Sequence, residues 1–371
     1  MPQGLVSTYD LTQGVIVDIE SLIQQLDPFD VPLIGGADGM SPITRDTCFE
    51  KKVEWQDDKI LTPRTTLNGA LTTGTTTLVI STSQTNSFGV GDVLLLANDE
   101  NVRVTALNAD GVTLTVTRAF AGTTATNVTD ATVIIGVGKA LAEGSDPQLA
   151  RTRDRTGRYN LTQIFGPEKV EVSMTEKTIK KYGIATNEMD YQVVQRFREQ
   201  MVIMEQAALY GTRFDDAVNE LRTMGGFTYY FGVIDSSTTT LTDTKLVDML
   251  QTLFANGGNP TDMMVGAKQK RVISNFESSS LRRVAGEDHA RGVYVDEYIT
   301  DFGMVRVHLD RWVDTPDAFI FNRNDVELDT LRPMQFEPLA KTGDAVKGQI
   351  VGEYTLKVRN ATHQGRFSAL T

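Results

Sequence analysis

Apolar positions at helical spacing mark two helices of this chain. In the longer pattern, apolar residues recur every three or four positions along one stripe: Met189, Val193, Phe197, Met201, Met204 and Ala208. This stripe predicts a spine helix over about residues 186–211, with Gly211 as its C-cap. A second stripe ends at Asp27-Pro28 and predicts an amphipathic N-terminal helix, which packs either on the chain's own core or on a neighbouring subunit: Val15, Ile19, Leu22 and Leu26.

Alternation with a period of two replaces the helical pattern over residues 62–138. This stretch is rich in Thr, Gly and Val, poor in charge, and has turn residues between its short apolar runs. Asn108–Gly111 is a typical hairpin turn, and it follows a run in which Val102 and Val104 share one face. The pattern predicts a small all-β module inserted into a longer loop.

Helices and strands alternate in the last third of the chain. Asp243 is the expected N-cap of a helix over Lys245–Ala255, and Phe319–Phe321 is expected to be a buried strand. His308 lies between apolar residues on another predicted strand, and we expect it to point to solvent or to a partner. The final strand, residues 349–359, alternates apolar with polar residues and is expected to have one wet face.

Charge and composition exclude several classes of protein. The chain has 371 residues, enough for two or three domains of ordinary size. Its 48 acidic and 36 basic residues give a net charge of −12, which disfavours general binding to nucleic acid or to anionic membranes. No apolar run approaches the ~20 residues that span a bilayer. The single cysteine, Cys48, excludes an intrachain disulfide and suits a reducing cytosol.

Side chains that could carry chemistry are scattered along the sequence. The histidines and the cysteine lack metal-ligand spacing, and there is no phosphate-binding loop, nucleophile elbow or H-E-x-x-H. The candidates for carboxylate chemistry are Glu287, Asp288 and Asp215, which we interpret as solvated surface residues. We therefore predict that the chain is not an enzyme and has no catalytic residue, no cofactor and no metal site.

Arginines recur at every second position of one segment. If the segment is extended, Arg151, Arg153 and Arg155 share a face. Such a row could bind phosphate, could be a solvated edge that discourages strand pairing, or could contact an acidic neighbour in an assembly. For so acidic a chain we favour the contact with a neighbour, followed by the solvated edge. Trp55, on the predicted strand Phe49–Trp55, is a further predicted contact between subunits.

Four segments, in their order along the chain, resemble those of a known family: Val53–Asp58, Arg158–Phe165, Val265–Lys270, and Leu331–Pro333 continuing to Leu339–Asp344. The family is that of the major capsid (head) proteins of tailed bacteriophages, in the branch typified by the head protein of phage SU-ten. These proteins are similar to the Hong Kong 97-like capsid fold. The resemblance covers residues 1–60 and 145–371 and is weak across the β module.

The resemblance implies an α+β chain with the Hong Kong 97-like phage capsid fold and a small all-β insertion in its extended loop. The parts of such a chain are an arm, an extended loop, a peripheral domain built on the spine helix, and an axial domain. The expected bounds are 1–48 for the N-terminal arm, 49–165 for the extended loop containing the insertion at 62–138, 166–221 and 333–371 for the peripheral domain, and 222–332 for the axial domain.

The function implied by the resemblance is that of a major capsid protein. Hexamers and pentamers of the chain would tile an icosahedral shell, which encloses double-stranded DNA without sequence-specific binding. Scaffolding, portal and decoration proteins are further expected partners, and no membrane is involved. The sequence begins directly at the arm, so we expect a separate scaffold or none. Assembly is expected in the host bacterial cytoplasm, and the finished protein in the virion.

Two other classes of function remain as alternatives. The first is another phage structural part, such as a tail-tube or decoration protein, and the second is an enzyme that uses carboxylates. The long spine helix and the α/β half of the chain argue against the first, since such proteins are mostly β. The scattered placement of the carboxylates argues against the second.

Overall fold

The computed structural model describes residues 29–36, 42–58, 63–81, 88–146, 155–179, 188–276 and 297–371. The chain divides into two compact units. The body comprises Met1–Trp55 and Arg158–Thr371, and the inserted domain comprises Gln56–Gly157. The predicted N-terminal helix lies outside the described residues, as do Arg151, Arg153, Glu287 and Asp288.

The described residues form six α-helices: α1 Pro32–Gly35, α2 Met174–Thr178, α3 Glu188–Tyr210, α4 Phe227–Tyr230, α5 Asp243–Ala255 and α6 Ala267–Ser274. They also form twenty strands: β1 Thr44–Thr47, β2 Lys52–Asp57, β3 Arg64–Thr66, β4 Thr77–Val79, β5 Asp92–Leu95, β6 Asn101–Leu107, β7 Thr113–Thr117, β8 Val133–Lys139, β9 Thr156–Leu161, β10 Gln163–Ser173, β11 Phe214–Asp216, β12 Leu221–Thr223, β13 Val233–Asp235, β14 Asp262–Val265, β15 Glu297–Thr300, β16 Gly303–Leu309, β17 Ala318–Phe321, β18 Val326–Pro338, β19 Ala345–Val358 and β20 Gly365–Phe367. Short 3₁₀ turns lie at Ala97–Asp99, Phe120–Gly122, Arg323–Asp325 and Ala361–His363.

Helix α3 is the predicted spine. It ends where Gly211 donates its backbone N–H to the Ala207 carbonyl at 2.9 Å. Met204 and Ala208 of the predicted stripe are buried, whereas the stripe is only half-buried toward the start of the helix. The polar residues Gln200 and Glu205 are buried on the same helix, which the apolar pattern did not predict.

A six-stranded mixed sheet, in the order β13-β20-β17-β14-β16-β15, lies between two hydrophobic cores of the body. Along β17, Ala318 and Ile320 enter the core that contains α5, while Phe319 and Phe321 enter the core that contains α4. Because both faces of the sheet are covered here, the sequence of β17 is a continuous apolar run. The predicted buried strand Phe319–Phe321 is confirmed.

One local expectation in this part of the body is wrong. Helix α5 is capped by Thr242, whose hydroxyl accepts the Lys245 N–H at 3.3 Å, and Asp243 lies inside the first turn. Strand β20 pairs with β13 and β17, so residues 365–367 join the six-stranded sheet. The domain bounds implied by the resemblance stay a prediction.

A four-stranded sheet in the order β1-β18-β19-β10 completes the body, with α3 packed against β10. Strand β19 lies in the interior of this sheet, between β18 and β10. The expected wet face of β19 is therefore wrong in part: Thr355 is fully buried, and Glu353 and Lys357 are half-buried in ion pairs.

The inserted domain is a six-stranded antiparallel barrel in the order β3-β8-β5-β6-β7-β4. Its two end strands meet through an antiparallel bridge between Leu67 and Ile80, with the Asn68 N–H donated to the Val79 carbonyl at 2.9 Å. The predicted hairpin is confirmed as β6 and β7, and Val102 and Val104 face the apolar core of the barrel. The α+β class with an all-β insertion is confirmed.

Candidate assembly surfaces

The predicted contact residue Trp55 packs inside the body. Strand β2 begins at Lys52 rather than at Phe49, and the Trp55 ring lies 5.7 Å from the ring of Tyr230. Most of this side chain therefore contacts its own chain, and a neighbouring subunit could reach only its exposed edge. The structure contains one chain, so the contact between subunits stays a prediction.

The arginine row is only partly described. Arg155 is exposed, and its guanidinium donates a long hydrogen bond of 3.4 Å to Gln56 Oε1. Arg151 and Arg153 lie outside the described residues. The contact of this row with an acidic neighbour therefore also stays a prediction.

Asn160, within the segment Arg158–Phe165 that carries the family resemblance, is buried and hydrogen-bonded at both ends of its amide. Its Nδ2 donates to the carbonyls of Gly225 and Leu356 at 3.0 and 2.5 Å. Its Oδ1 accepts the Gly225 N–H at 2.8 Å. One amide thus joins β9, β19 and the chain before α4, and apolar periodicity gives no signal for such a residue.

The hairpin of β11 and β12 presents apolar side chains to solvent. Phe214 and Leu221 are exposed, and Val218 at the tip is 89% exposed. The base is fixed because Arg222 donates to the Thr162 carbonyl and to Glu353, both at 2.7 Å. The tip is fixed because Asp216 accepts the Val218 N–H at 2.9 Å. A fixed, exposed apolar surface is typical of an interaction site.

The enzyme candidates do not form a site in the part of the chain that the structure describes. Asp215 is exposed on this hairpin, opposite Arg222 in register. The described residues also contain no group of three or more His, Cys, Asp or Glu side chains placed to hold a metal ion. Among the described helices, none is both long enough and apolar enough to cross a membrane.

Glu205 of the spine helix holds the short helix α1. Its two carboxylate oxygens accept the N–H groups of Leu33 and Ile34 at 2.7 and 3.0 Å. Burial raises the pKa of Glu205 to about 8, and the nearby charge of Asp310 acts in the same direction. The burial of Glu205 has one signal in the sequence: Glu205 lies on the apolar face of the helix, four residues after Met201.

Asp310 is a second buried carboxyl near this anchor. Its Oδ1 accepts the Trp312 backbone N–H at 2.9 Å, and Oδ2 has no hydrogen-bond partner among the described atoms. Burial raises the pKa of Asp310 to about 6, with a further contribution from the charge of Asp30. The Trp312 indole donates to the Asp30 carbonyl at 2.6 Å. This hydrogen bond holds the chain in place just before α1.

His308 does not point to solvent. It is buried in β16, and its Nε2 lies 2.8 Å from Asp262 Oδ1. The expectation failed because β16 is an interior strand of the sheet and is covered on both faces at its end, so His308 is buried although Met304 and Arg306, at the same alternation, are exposed. Burial opposes ionisation of Asp262, but the hydrogen bonds from His308 and Thr261 outweigh it and lower the pKa of Asp262.

The sequence matches the family model of the SU10 major capsid protein over residues 4–371. The chain belongs to the SU10 major capsid protein family. As a capsid protein it is a structural component of the virion. The family assignment agrees with the Hong Kong 97-like fold expected from the sequence.

Solved structures similar to this capsid protein share little sequence with it. The capsid of Myoviridae phage XM1 has 12% identity and a TM-score of 0.48, with 96% of this chain and 100% of that chain covered. A structure from Mycobacterium phage Cain has 8% identity and a TM-score of 0.46, with coverages of 95% and 92%. One from Microbacterium phage Oxtober96 has 10% identity and a TM-score of 0.45, with coverages of 94% and 95%. A comparison with curated proteins gives no match.

The inserted domain of this capsid protein contains a buried ion pair. Glu100 is fully buried, and both of its oxygens accept from the Arg118 guanidinium at 2.7 Å. It also accepts the N–H groups of Ala119 and Thr126, while Arg118 donates to the carbonyl of Thr72. Burial opposes ionisation of Glu100, but these hydrogen bonds lower its pKa. The ion pair therefore connects three loops, those between β3 and β4, between β5 and β6, and between β7 and β8.

Proposed function

We propose that this capsid protein assembles as hexamers and pentamers into the icosahedral shell of a tailed bacteriophage, enclosing its double-stranded DNA. The observation that carries the proposal is the family match over residues 4–371, which spans both the body and the inserted domain. A closed shell needs repeated contacts between unlike surfaces of identical subunits. The chain therefore has to present at least two different contact surfaces.

The exposed hairpin of β11 and β12 supports this proposal. Its apolar side chains are held in place before any partner arrives, which lowers the entropy that association has to overcome. The predicted contacts of Arg151, Arg153, Arg155 and Trp55 belong to the same proposal. So do scaffolding, portal and decoration proteins as further partners, and assembly in the cytoplasm of the host.

The relation to DNA follows from charge. A wall made from a chain with a net charge of −12 repels a polyanion, so the genome would be enclosed without adhering to it. No sequence-specific contact is required. A strongly basic inner surface of the shell would contradict this part of the proposal.

The test is sedimentation and negative-stain electron microscopy of the full chain, expressed alone and together with neighbouring viral genes. Closed shells, or rings of five and six subunits, are the expected result. Stacked rings that grow into tubes would favour a tail protein instead. A monomer or small dimer under every condition would contradict the proposal.

The enzyme alternative has its own control. The variants Glu287→Ala and Asp288→Ala are expected to leave shell formation unchanged, because the proposed function assigns no role to either carboxylate. Asp215→Ala is assayed for activity alone, because Asp215 lies on the exposed hairpin. A catalytic activity of the soluble chain that any of these changes abolishes would favour the alternative.

A further inference from the structure

One side of the described outer surface of the barrel is apolar. Outward side chains of β8 and its neighbour β5 form a continuous apolar patch, here called the β8 face: Val133, Ile135, Val137, Val93 and Leu95. Val137 is 63% exposed, Val133 and Ile135 are each 40% exposed, and the two β5 residues are half-buried. The outward positions of β7 are threonines instead.

The register of the strands makes this patch contiguous. Ile135 lies opposite Arg64 on β3 and opposite Leu95 on β5. Opposed residues of an antiparallel pair point to the same side of the sheet, so their side chains are neighbours. Ile134 and Leu94 point the other way, into the core. The β8 face is therefore a second apolar surface of strands that already contribute to a filled interior.

Folding of the barrel does not account for the β8 face. Most inward residues form one apolar core, and the end strands β3 and β4 meet, so strand pairing closes the barrel. A closed barrel has no free edge with which to add a strand from another chain. Any partner therefore has to be recognised through side chains on the outer surface.

Basic side chains border the β8 face. Arg64 flanks Ile135 on one side, and Arg103 lies opposite Val93 on the other. Lys139 follows at the end of β8, 3.8 Å from the largely buried Asp92. The chain as a whole carries a net charge of −12, so a second copy offers an excess of acidic over basic side chains. An apolar patch with a basic border is complementary to an acidic surface that has an apolar centre.

We propose that the β8 face docks on the acidic surface of a second copy of this chain within the shell. The inference rests on the proposed function, and it assigns to the inserted domain a contact between subunits. A second copy is the occupant because it supplies the complementary charge. A polyphosphate would need cations at the centre of the patch, where the side chains are instead apolar.

Charge placed on the β8 face tests this docking in the full-length chain. Val137→Glu and Ile135→Glu are expected to raise the subunit concentration needed for shells by about tenfold or more, because a carboxylate then faces an acidic, desolvated partner. Thr77→Glu is the matched control, since Thr77 is an exposed strand residue of β4 and lies outside the β8 face. This control is expected to assemble like the original chain.

Hydrogen exchange at the Leu114 and Val116 amides reports whether each variant keeps the barrel. Equal protection with impaired assembly supports the docking. Equal protection with unimpaired assembly overturns it. If the original chain itself forms no shells alone or with neighbouring viral genes, the proposed function fails, which is a different result from shells that tolerate Val137→Glu.

A zero-length cross-linker that joins lysine to carboxylates identifies the occupant. Shells assembled from a mixture of ¹⁴N- and ¹⁵N-labelled chains are treated with a carbodiimide and digested, and the cross-linked peptides are read by mass spectrometry. The expected product joins Lys139 of one copy to an aspartate or glutamate of a differently labelled copy. Links from Lys139 only within one copy, only to another virion protein, or to nothing would each overturn the assignment.

Discussion

Both units of the chain bury a glutamate, with opposite consequences for its ionisation. In the inserted domain, Glu100 meets the Arg118 guanidinium, and its pKa is lowered. In the body, Glu205 meets two backbone N–H groups and lies near Asp310, and its pKa is raised to about 8. The difference teaches that burial raises the pKa of a carboxyl unless a charged partner and hydrogen bonds outweigh it.

The two units also differ in whether their sheets have free edges. The barrel closes on itself and has one apolar core. In the described part of the body, the two larger sheets end on the strands β1 and β10 and on β13 and β15. A closed barrel is complete within one chain, whereas open sheet edges and an exposed apolar hairpin suit a unit whose neighbours complete it.

The strongest test of this comparison removes the carboxylate from the inserted domain. Glu100→Ala leaves Arg118 buried without its partner, and we expect a loss of about 3–5 kcal/mol in the free energy of barrel opening. Hydrogen exchange of the β6 and β7 amides in the full chain measures this loss. Amides of the body are expected to keep their protection.

Asp99→Asn is the matched control for this change. Asp99 is exposed, precedes Glu100, and has a φ of 59°, a conformation that asparagine tolerates well. Its substitution is expected to leave the exchange rates unchanged. Equal exchange in Glu100→Ala and Asp99→Asn would show that the ion pair does not stabilise the barrel.

A smaller effect is expected from pH at the anchor of α1. The pKa of Glu205 is raised from 4.5 to about 8, so its docked form holds the proton more tightly than its released form. The contribution of Glu205 to the free energy that keeps α1 docked is complete below about pH 4.5. This contribution is lost as the pH rises through about 8. Between pH 6 and pH 8 the loss is about 2 kcal/mol. Exchange of the Leu33 and Ile34 amides, corrected for the intrinsic rate, measures it.

Glu205→Gln is expected to flatten this pH dependence, because an amide does not titrate. Glu199→Gln on the same helix is the control, since Glu199 is exposed and forms an ion pair with Arg196 three residues before it. It is expected to keep the full pH dependence. The assignment is wrong if Glu205→Gln shows the same slope with pH as the original chain.

The smallest effect concerns the exposed hairpin. Arg222→Met removes the hydrogen bonds to Thr162 and Glu353, and we expect a loss of about 1 kcal/mol in unfolding free energy, because the pair is partly solvated. Urea unfolding and a double-mutant cycle with Glu353→Gln measure the coupling. Arg332→Met is the control: Arg332 is more exposed, lies 3.3 Å from the same carboxylate, and should couple by less than about 0.5 kcal/mol.

Elements with one wet face were predictable from the sequence. The spine helix and the hairpin of β6 and β7 follow their apolar periods, because water covers one side of each. His308 and Thr355 were not predictable, since each is buried by parts of the chain that are distant in sequence. Local spacing contains no information about such cover.

The assembly surfaces were less predictable than the fold. The anchor of α1 joins Glu205 to a backbone amide 172 positions away, and a backbone N–H has no sequence signature. The apolar side of the barrel depends on which of two alternating faces turns inward and on which strands are neighbours. The sequence indicates the alternation of β8, but only the register places Ile135 between Arg64 and Leu95.

The strands β2 and β9 pair with each other, and Thr162 beyond β9 donates its N–H to the Lys51 carbonyl at 2.8 Å. The chain therefore leaves the body and returns to it along two adjacent strands, which form the insertion point of the domain. A domain whose own ends lie close together can be gained, lost or exchanged at this insertion point without changing the register of any other sheet. Recombination between genomes could thus replace the barrel while the remainder of the gene, and the shell that it encodes, stay in frame.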